Sequence, residues 1–343
     1  MNEPIKYIKK VEIKNLWGRY DLEWNLDPSV NVLSGINGSG KSTILDCIAS
    51  ILSIGSLDAD LHEKKVIQLN IVFNNNERVS YERIKDTINN LESRIDTDHF
   101  AQTIISRLKE EEGNHYKKIS SIEVGMTSFS NREMNLEKLH NFFLFDIIGT
   151  FDKTLAPSSS PDPKVKTELD RDIFYLQKKY LDYQLNIGKR AFEAVSKNRE
   201  NTQEYILAIK KQHERLLEII DTLFAGTNKK VNRNNNELTF LKGSDMLTPY
   251  QLSSGEKQII VILLTVLVQD NKPAILFMDE PEISLHIDWQ RKLIQYIKEL
   301  NPNVQIILAT HSPGIILEGW ADKVFEVSDL ITLDRQAIPE DAK

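Results

Sequence analysis

The sequence predicts an α/β fold: a mostly parallel sheet flanked by helices, an antiparallel amino-terminal β-subdomain, and a helical insert. Three observations predict it. Residues 35–42 form a glycine-rich turn between an apolar strand, "VNVLSG", and a segment with helical spacing, "KSTILDCIASIL". The last hundred residues alternate helix and strand, with "AILFMDE" and "VQIILATH" as the clearest strands and "KVFEV" as a shorter one. Continuously apolar strands of this kind belong to parallel sheets covered on both faces. The chain start instead alternates apolar and polar residues in "KKVEIKNL" and "YDLEWNL", the pattern of a half-buried antiparallel hairpin, with its turn "WGRY" built on Gly18.

Between these ends the pattern changes. "VIQLNIVF" (66–73) predicts a further strand and "NNNE" a turn after it. Residues 80–125 are charged and are expected to be mostly helical, with "KEEEG" as a helix end. "FFLFDIIGTFD" (142–152) is apolar and is expected to be buried, whereas "APSSSPDP" (156–163) is expected to be a surface loop. Thr167 and Asp170 have capping-box spacing. A helix is expected from about 168, with Leu169, Ile173, Leu176, Tyr180, Tyr183 and Ile187 on one face. A second amphipathic helix aligns Tyr205, Ile209, Leu216, Ile220 and Phe224, so the pair predicts a helical hairpin. No heptad is sustained, which argues against a long coiled coil. The expected organisation is a core of residues 1–80 and 240–343 with a mainly helical subdomain, 81–239, inserted; it holds the 156–163 loop and the hairpin at about 168–224.

Composition bounds the function. The 343 residues are 41% hydrophobic and 27% charged, a balance that can bury a sizeable core. A net charge of −7 argues against bulk nucleic-acid binding. One cysteine, Cys47, excludes a disulfide framework and a zinc cluster, and is expected to be a buried small side chain. The start, "MNEPIKYIKKVEIKNL", has no apolar core of a signal peptide, and the apolar run 259–268 is too short to cross a bilayer. A cytoplasmic location without membrane contact is expected.

Gly35-Ile36-Asn37-Gly38-Ser39-Gly40-Lys41-Ser42, followed by Thr43, is a complete G-x-x-x-x-G-K-S. Its glycines let backbone N–H groups converge on phosphate oxygens, and the next helix adds its positive end. Lys41 is expected to reach the β- and γ-phosphates of a nucleotide such as ATP, and the Ser42 hydroxyl to bind Mg2+. "AILFMDE" ends in Asp279, expected to hold the magnesium through water, and Glu280, expected to be the general base. His311 follows "QIILAT" and is expected at the same sheet edge, where an imidazole can hydrogen-bond a γ-phosphate. Arg19 is expected either near the nucleotide or as an ordinary surface arginine.

A second polar turn, Leu252-Ser253-Ser254-Gly255-Glu256, precedes the run "IIVILLTVLV". It resembles the signature motif of the ATP-binding-cassette (ABC) superfamily, usually Leu-Ser-Gly-Gly-Gln, with Ser254 in place of the first glycine and Glu256 in place of the glutamine. The resemblance implies that Ser253, Ser254, Gly255 and Glu256 close over the γ-phosphate held by a second copy, giving a head-to-tail dimer with ATP sandwiched between protomers. Ser284, Leu285 and His286 in "DEPEISLHIDWQ" resemble the D-loop of the RecF and OLD ATPases, as do "LSSGEKQ" and "ATHSP". The resemblance covers residues 8–52 and 248–327. No glutamine loop is assigned. "ELDRDIFYLQKKYLDYQLN" looks like the helical insert of standalone ATPase subunits of bacterial antiphage defence systems such as Septu.

That likeness implies an ATPase that regulates a separate effector, a nuclease or toxin. The nuclease domain of OLD proteins is not expected, because the chain ends soon after His311. The alternatives are a RecF-like repair ATPase that binds DNA directly and, less favoured, a transporter ATPase. The spacing of 214 residues from Lys41 to Gly255 and the D-loop argue against the transporter. DNA or RNA contact would fall on "NKKVNRNNN", which is more simply a solvated hairpin; "KKQHER" (210–215) is expected to be the solvent face of a helix.

Overall fold

A computed structural model describes residues 3–52, 61–94, 99–113, 121–130, 139, 144–149, 154–155, 161–197 and 201–336. In chain order it contains β1 (Ile8–Leu16), β2 (Tyr20–Asn25), β3 (Val30–Ser34), α1 (Lys41–Leu52), β4 (Gln68–Phe73), β5 (Arg78–Thr87), α2 (Ile88–Ser93), α3 (His99–Glu112), β6 (Ser121–Phe129) and β7 (Leu144–Ile148). There follow α4 (Glu168–Ser196), α5 (Thr202–Phe224), β8 (Lys230–Val231), β9 (Phe240–Lys242), β10 (Asp245–Leu247), α6 (Ser254–Val268), β11 (Ala274–Asp279), α7 (Ile287–Leu300), β12 (Val304–Ala309), α8 (Pro313–Ile316), β13 (Val324–Glu326), α9 (Val327–Leu330) and β14 (Ile331–Asp334). The chain forms two compact units. One comprises residues 1–8, 26–45 and 140–328, the other 9–25, 46–139 and 329–343.

The first unit is built on a parallel sheet ordered β13-β3-β12-β11-β7. Every residue of β12 is buried and β11 is buried up to Asp279, as continuous apolar strands require. The polar exceptions are satisfied. Gln305 in β12 accepts the Ile8 N–H at 2.8 Å and donates to the carbonyls of Ile8 and Asp27. Asn31 in β3 accepts the Asp27 N–H at 2.7 Å. Helix α6 is buried on all sides from Gly255 to Leu267, which explains a run too apolar for a surface helix. One hydrophobic core joins it to α4 and α5 through Leu169, Ile173, Tyr180, Leu216, Ile220 and Phe224. The hairpin of α4 and α5 therefore packs within its own unit. Thr167 caps α4 by accepting the Asp170 N–H at 3.2 Å.

The second unit carries a sheet ordered β14-β2-β1-β4-β5-β6, in which β1–β2, β2–β14, β4–β5 and β5–β6 are antiparallel. Gly18 turns the first hairpin at φ 77°, a conformation glycine adopts without cost.

The described residues of 80–125 are mostly helical, as expected, through α2 and α3, and "KEEEG" closes α3; the strands β5 and β6 on either side, paired along their length, are not marked by the charged pattern. Two expectations need correction. The segment 144–148 is an edge strand with Ile148 buried but Ile147 54% exposed, so its apolar run is not a core run. "KKQHER" is not simply a solvent face, because His213 stacks on Tyr180 and accepts or donates a 2.8 Å hydrogen bond to its hydroxyl. The loop 156–163 lies outside the described residues up to 160, as do residues 142–143 and 150–152. Cys47 is buried.

Candidate functional site

Strands β3, β12 and β11 are neighbours, so the segments leaving their carboxyl ends share one sheet edge, where parallel α/β sheets bind ligands. The glycine loop 35–40 leaves β3, Asp279 ends β11, and Thr310-His311 leaves β12. The register pairs Asp279 with Ala309 and Ala309 with Leu33, which levels the three ends.

The loop is shaped as a cradle. Gly35, Gly38 and Gly40 have φ of 151°, 78° and 103°. A Cβ on Gly35 would meet Ser39 Oγ at 2.6 Å. Asn37 and Gly38 are exposed, whereas Ser39, Ser42 and Thr43 are half-buried. Ser39 Oγ is buried without a hydrogen-bond partner among the described residues, a hydroxyl open to a ligand oxygen. Helix α1 opens with no acidic residue in its first turn, so its N–H groups keep their positive field. The buried Lys41 ammonium donates to the carbonyls of Gly35 at 3.0 Å and Ile36 at 3.3 Å, and contacts His311 Nε2 at 2.5 Å. Ser42 Oγ donates to Asp279 Oδ1 at 2.9 Å. A hydroxyl and a carboxylate so placed suit a hard, oxygen-seeking cation that brings its other ligands with it. Among the described residues no group of three or more His, Cys, Asp or Glu could cage a metal alone.

Glu280 sits in the left-handed region, φ 45°, which a non-glycine residue occupies only at a cost. Its N–H donates to Ala309 O at 2.8 Å, and its Oε1 lies 3.9 Å from His311 Nε2. Two residues on, Glu282 Oε1 accepts from Thr310 Oγ1 at 2.5 Å and from the His311 N–H at 3.0 Å.

The second polar turn lies in the same unit. Ser253 is the N-cap of α6. Glu256 returns its carboxylate to the Ser253 N–H and hydroxyl, both at 2.9 Å, closing a capping box. Glu256 is 2% exposed and is neutralised by Lys229 at 2.7 Å, with Thr227 Oγ1 at 3.1 Å. Burial pushes the Glu256 carboxyl up, but Lys229 and Ser253 together hold it below the usual carboxylate range. Glu256 thus faces inward, and the exposed side chains of this turn are Ser253 and Ser254. Gly255 is required: a Cβ there would lie 2.2 Å from the Ser284 carbonyl. The turn and residues 283–286 line a cavity of about 850 Å³, with Trp289, Lys292 and Tyr296 behind them and none of the glycine loop. Ser284 and His286 are exposed and Leu285 is buried; His286 caps α7 by accepting the Asp288 N–H.

Arg19 is engaged by Asp334 in a bidentate pair at 2.7 Å within its own unit. The basic loop is largely neutralised too, with Lys229 on Glu256 and Arg233 on Asp221 at 2.7 Å. Lys229, Glu282 and Gln290 join this arrangement without having been singled out in the sequence. The acidic run "DEPE" carries a signal for Glu282, whereas nothing local marks Lys229 or Gln290.

A family described as "AAA domain, putative AbiEii toxin, Type IV TA system" matches residues 30–318. The chain is 22% identical to the "Retron Vc95 probable ATPase" of Vibrio cholerae serotype O1 biovar El Tor, over 89% of this chain and 70% of that protein. It is 25% identical to the "Septu protein PtuA" of Bacillus thuringiensis, over 98% of this chain and 77% of that one. Among solved structures, an SMC head bound to the C-terminal winged-helix domain of ScpA superposes with a TM-score of 0.52 at 17% identity, covering 91% of each chain. That likeness is one of fold.

Proposed function

The chain belongs to this AAA-domain ATPase family, and on that premise we propose that it binds ATP with Mg2+ between two head-to-tail copies of itself and hydrolyses it. The observation that carries the reading is the meeting of Lys41, Ser42, Asp279, Glu280 and His311 at the ends of three adjacent strands. The glycine loop and the first N–H groups of α1 hold the phosphates, with Lys41 on the β- and γ-groups. Ser42 and Asp279 would hold the magnesium, which neutralises phosphate charge when bound. Glu280 takes the proton of the attacking water as its oxygen bonds to the γ-phosphorus and the bridging bond to ADP breaks. His311 donates to the γ-phosphate.

The separation of the Ser254–Gly255 turn from the glycine loop, in a cavity of its own, supports its service to a nucleotide bound by another protomer. Ser253, Ser254, Gly255, Ser284 and His286 then form the facing half of the site. Glu256, being buried, acts by shaping the turn. Residues 1–80 and 240–343 would supply most of the ATPase core, with 81–239 inserted between them in sequence and lending it β7 and the α4–α5 hairpin.

The biological reading is regulation of a separate effector, a nuclease or toxin, in a cytoplasmic defence complex. Likeness to retron and Septu proteins along most of the chain supports it. No described helix is long and apolar enough to cross a membrane. Neutralisation of the basic loop weighs against direct DNA or RNA binding there. Light scattering of Glu280→Gln with ATP and Mg2+ tests the cycle: a nucleotide-dependent doubling of mass supports it, and a monomer at saturating ATP refutes the sandwich. Capture of that variant from its host tests the role, through a stoichiometric nuclease or toxin.

A further inference from the structure

The turn after Glu280 is tied to the histidine loop more closely than chain connectivity requires. Glu282 Oε1 receives two hydrogen bonds from that loop, the Thr310 hydroxyl at 2.5 Å and the His311 N–H at 3.0 Å. The Thr310 hydroxyl also accepts the Ser312 N–H at 2.9 Å, so the carboxylate organises three successive residues. Gln290, at the start of α7, adds a second tie. Its amide donates to the carbonyls of Glu282 and Leu285 at 3.3 and 2.8 Å, and its oxygen accepts the Ser312 hydroxyl at 2.6 Å. On the other side of the same turn, the Ser284 carbonyl occupies the space a Cβ on Gly255 would fill. One rigid turn, 280–286, therefore touches both the signature glycine and the loop that sets His311 against Lys41 and Glu280.

We propose that Glu282 is a positioning residue for hydrolysis, holding the His311 backbone so that its imidazole meets the phosphate bound at the glycine loop, with Gln290 locking the same turn to Ser312. This rests on the reading of the chain as an ATPase that uses Glu280 and His311. The physical ground is charge assistance. A carboxylate accepting two hydrogen bonds on one oxygen fixes a loop more firmly than a neutral acceptor does. Its other oxygen, Oε2, is buried with no partner among the described residues, so nothing competes for its orientation. Because the same turn carries Ser284 against Gly255, a shift of the signature on engaging a partner's nucleotide reaches His311 through Glu282.

The test compares Glu282→Ala, Glu282→Gln and Thr310→Val with the wild type in steady-state ATP hydrolysis, with folding checked by thermal melting. Loss of a charge-assisted hydrogen bond predicts a fall in kcat of about tenfold for Glu282→Ala, with KM for ATP within about twofold. Glu282→Gln keeps an acceptor without the charge and should recover only part of that loss, and Thr310→Val, which removes only a hydroxyl, should reproduce part of it. The Hill coefficient for ATP should fall toward one in Glu282→Ala. Unchanged kcat in both Glu282→Ala and Thr310→Val would overturn the proposal while the wild type still hydrolyses ATP. So would a Glu282→Gln rate as low as that of Glu282→Ala. A wild type without ATPase activity would instead sink the reading of the function on which the proposal rests. If Glu282→Ala fails to fold, Thr310→Val alone decides: a fall in kcat supports the tie and wild-type kcat refutes it.

Discussion

Helices α1 and α6 both begin at a Ser- and Gly-containing turn, yet their first turns are finished in opposite ways. The start of α1 has no acidic side chain, a buried lysine, and a serine hydroxyl, Ser39, without a partner among the described residues. The start of α6 is closed by the Ser253–Glu256 box, and its buried acid is neutralised by Lys229. A helix end with open N–H groups binds an anion on its own, whereas one that has capped itself offers only what remains exposed. Here that remainder is Ser253 and Ser254. The difference suits one complete phosphate site and one partial site that completes another.

Substitutions can break this comparison. The largest effect belongs to Lys41→Ala, which should weaken ATP binding by about 100-fold or more, read by fluorescence of a labelled nucleotide. Ser254→Glu should leave the affinity of a single protomer unchanged and abolish hydrolysis. If Ser254→Glu weakened binding at dilutions where the protein is monomeric, the two turns would serve one nucleotide.

Next comes Lys229→Met, which leaves Glu256 buried and unpaired. It should cost about 3–5 kcal/mol in urea unfolding, and Lys229→Met with Glu256→Gln should recover most of that. Because the folded state holds the Glu256 carboxyl below its ordinary range, its contribution is present above the unfolded value and is lost as pH falls through the folded one. Acid titration of stability should therefore be flatter in the double variant. Gly255→Ala should displace the Ser284 backbone, lowering both stability and hydrolysis while leaving ATP binding to the glycine loop intact. The smallest effect is Glu280→Asn. Asparagine accepts the left-handed backbone more readily, so the variant should gain about 0.5–1 kcal/mol in stability while losing hydrolysis.

The parts legible in the sequence were those written in local pattern. The strand–loop–helix at 30–52 showed in its glycines, β11 and β12 in unbroken apolar runs, and α4 in Thr167 and its one-sided apolar spacing. The acids and histidine at the sheet edge followed from where those strands end. What stayed hidden depends on partners far along the chain. β5 reads "RVSYERIKDT", in which only Val79 and Tyr81 keep an apolar alternation; the rest is a strand because β6 pairs with it. The Lys229–Glu256 pair spans 27 residues and the Glu282–His311 tie 29, and neither leaves a periodic trace. The inward turn of Glu256 could not be inferred from a motif whose glutamine counterpart carries no charge.

The central claim is that each phosphate loop is completed by the signature of another copy. Mixing Lys41→Ala protein with Ser254→Glu protein tests it most directly, with ATP hydrolysis as the readout. Each variant alone should be inactive, whereas a mixed dimer would hold one intact composite site. The account predicts recovery of activity on mixing, rising with the fraction of mixed dimer. A mixture that stays as inactive as its components, although the two proteins form mixed dimers, would contradict it.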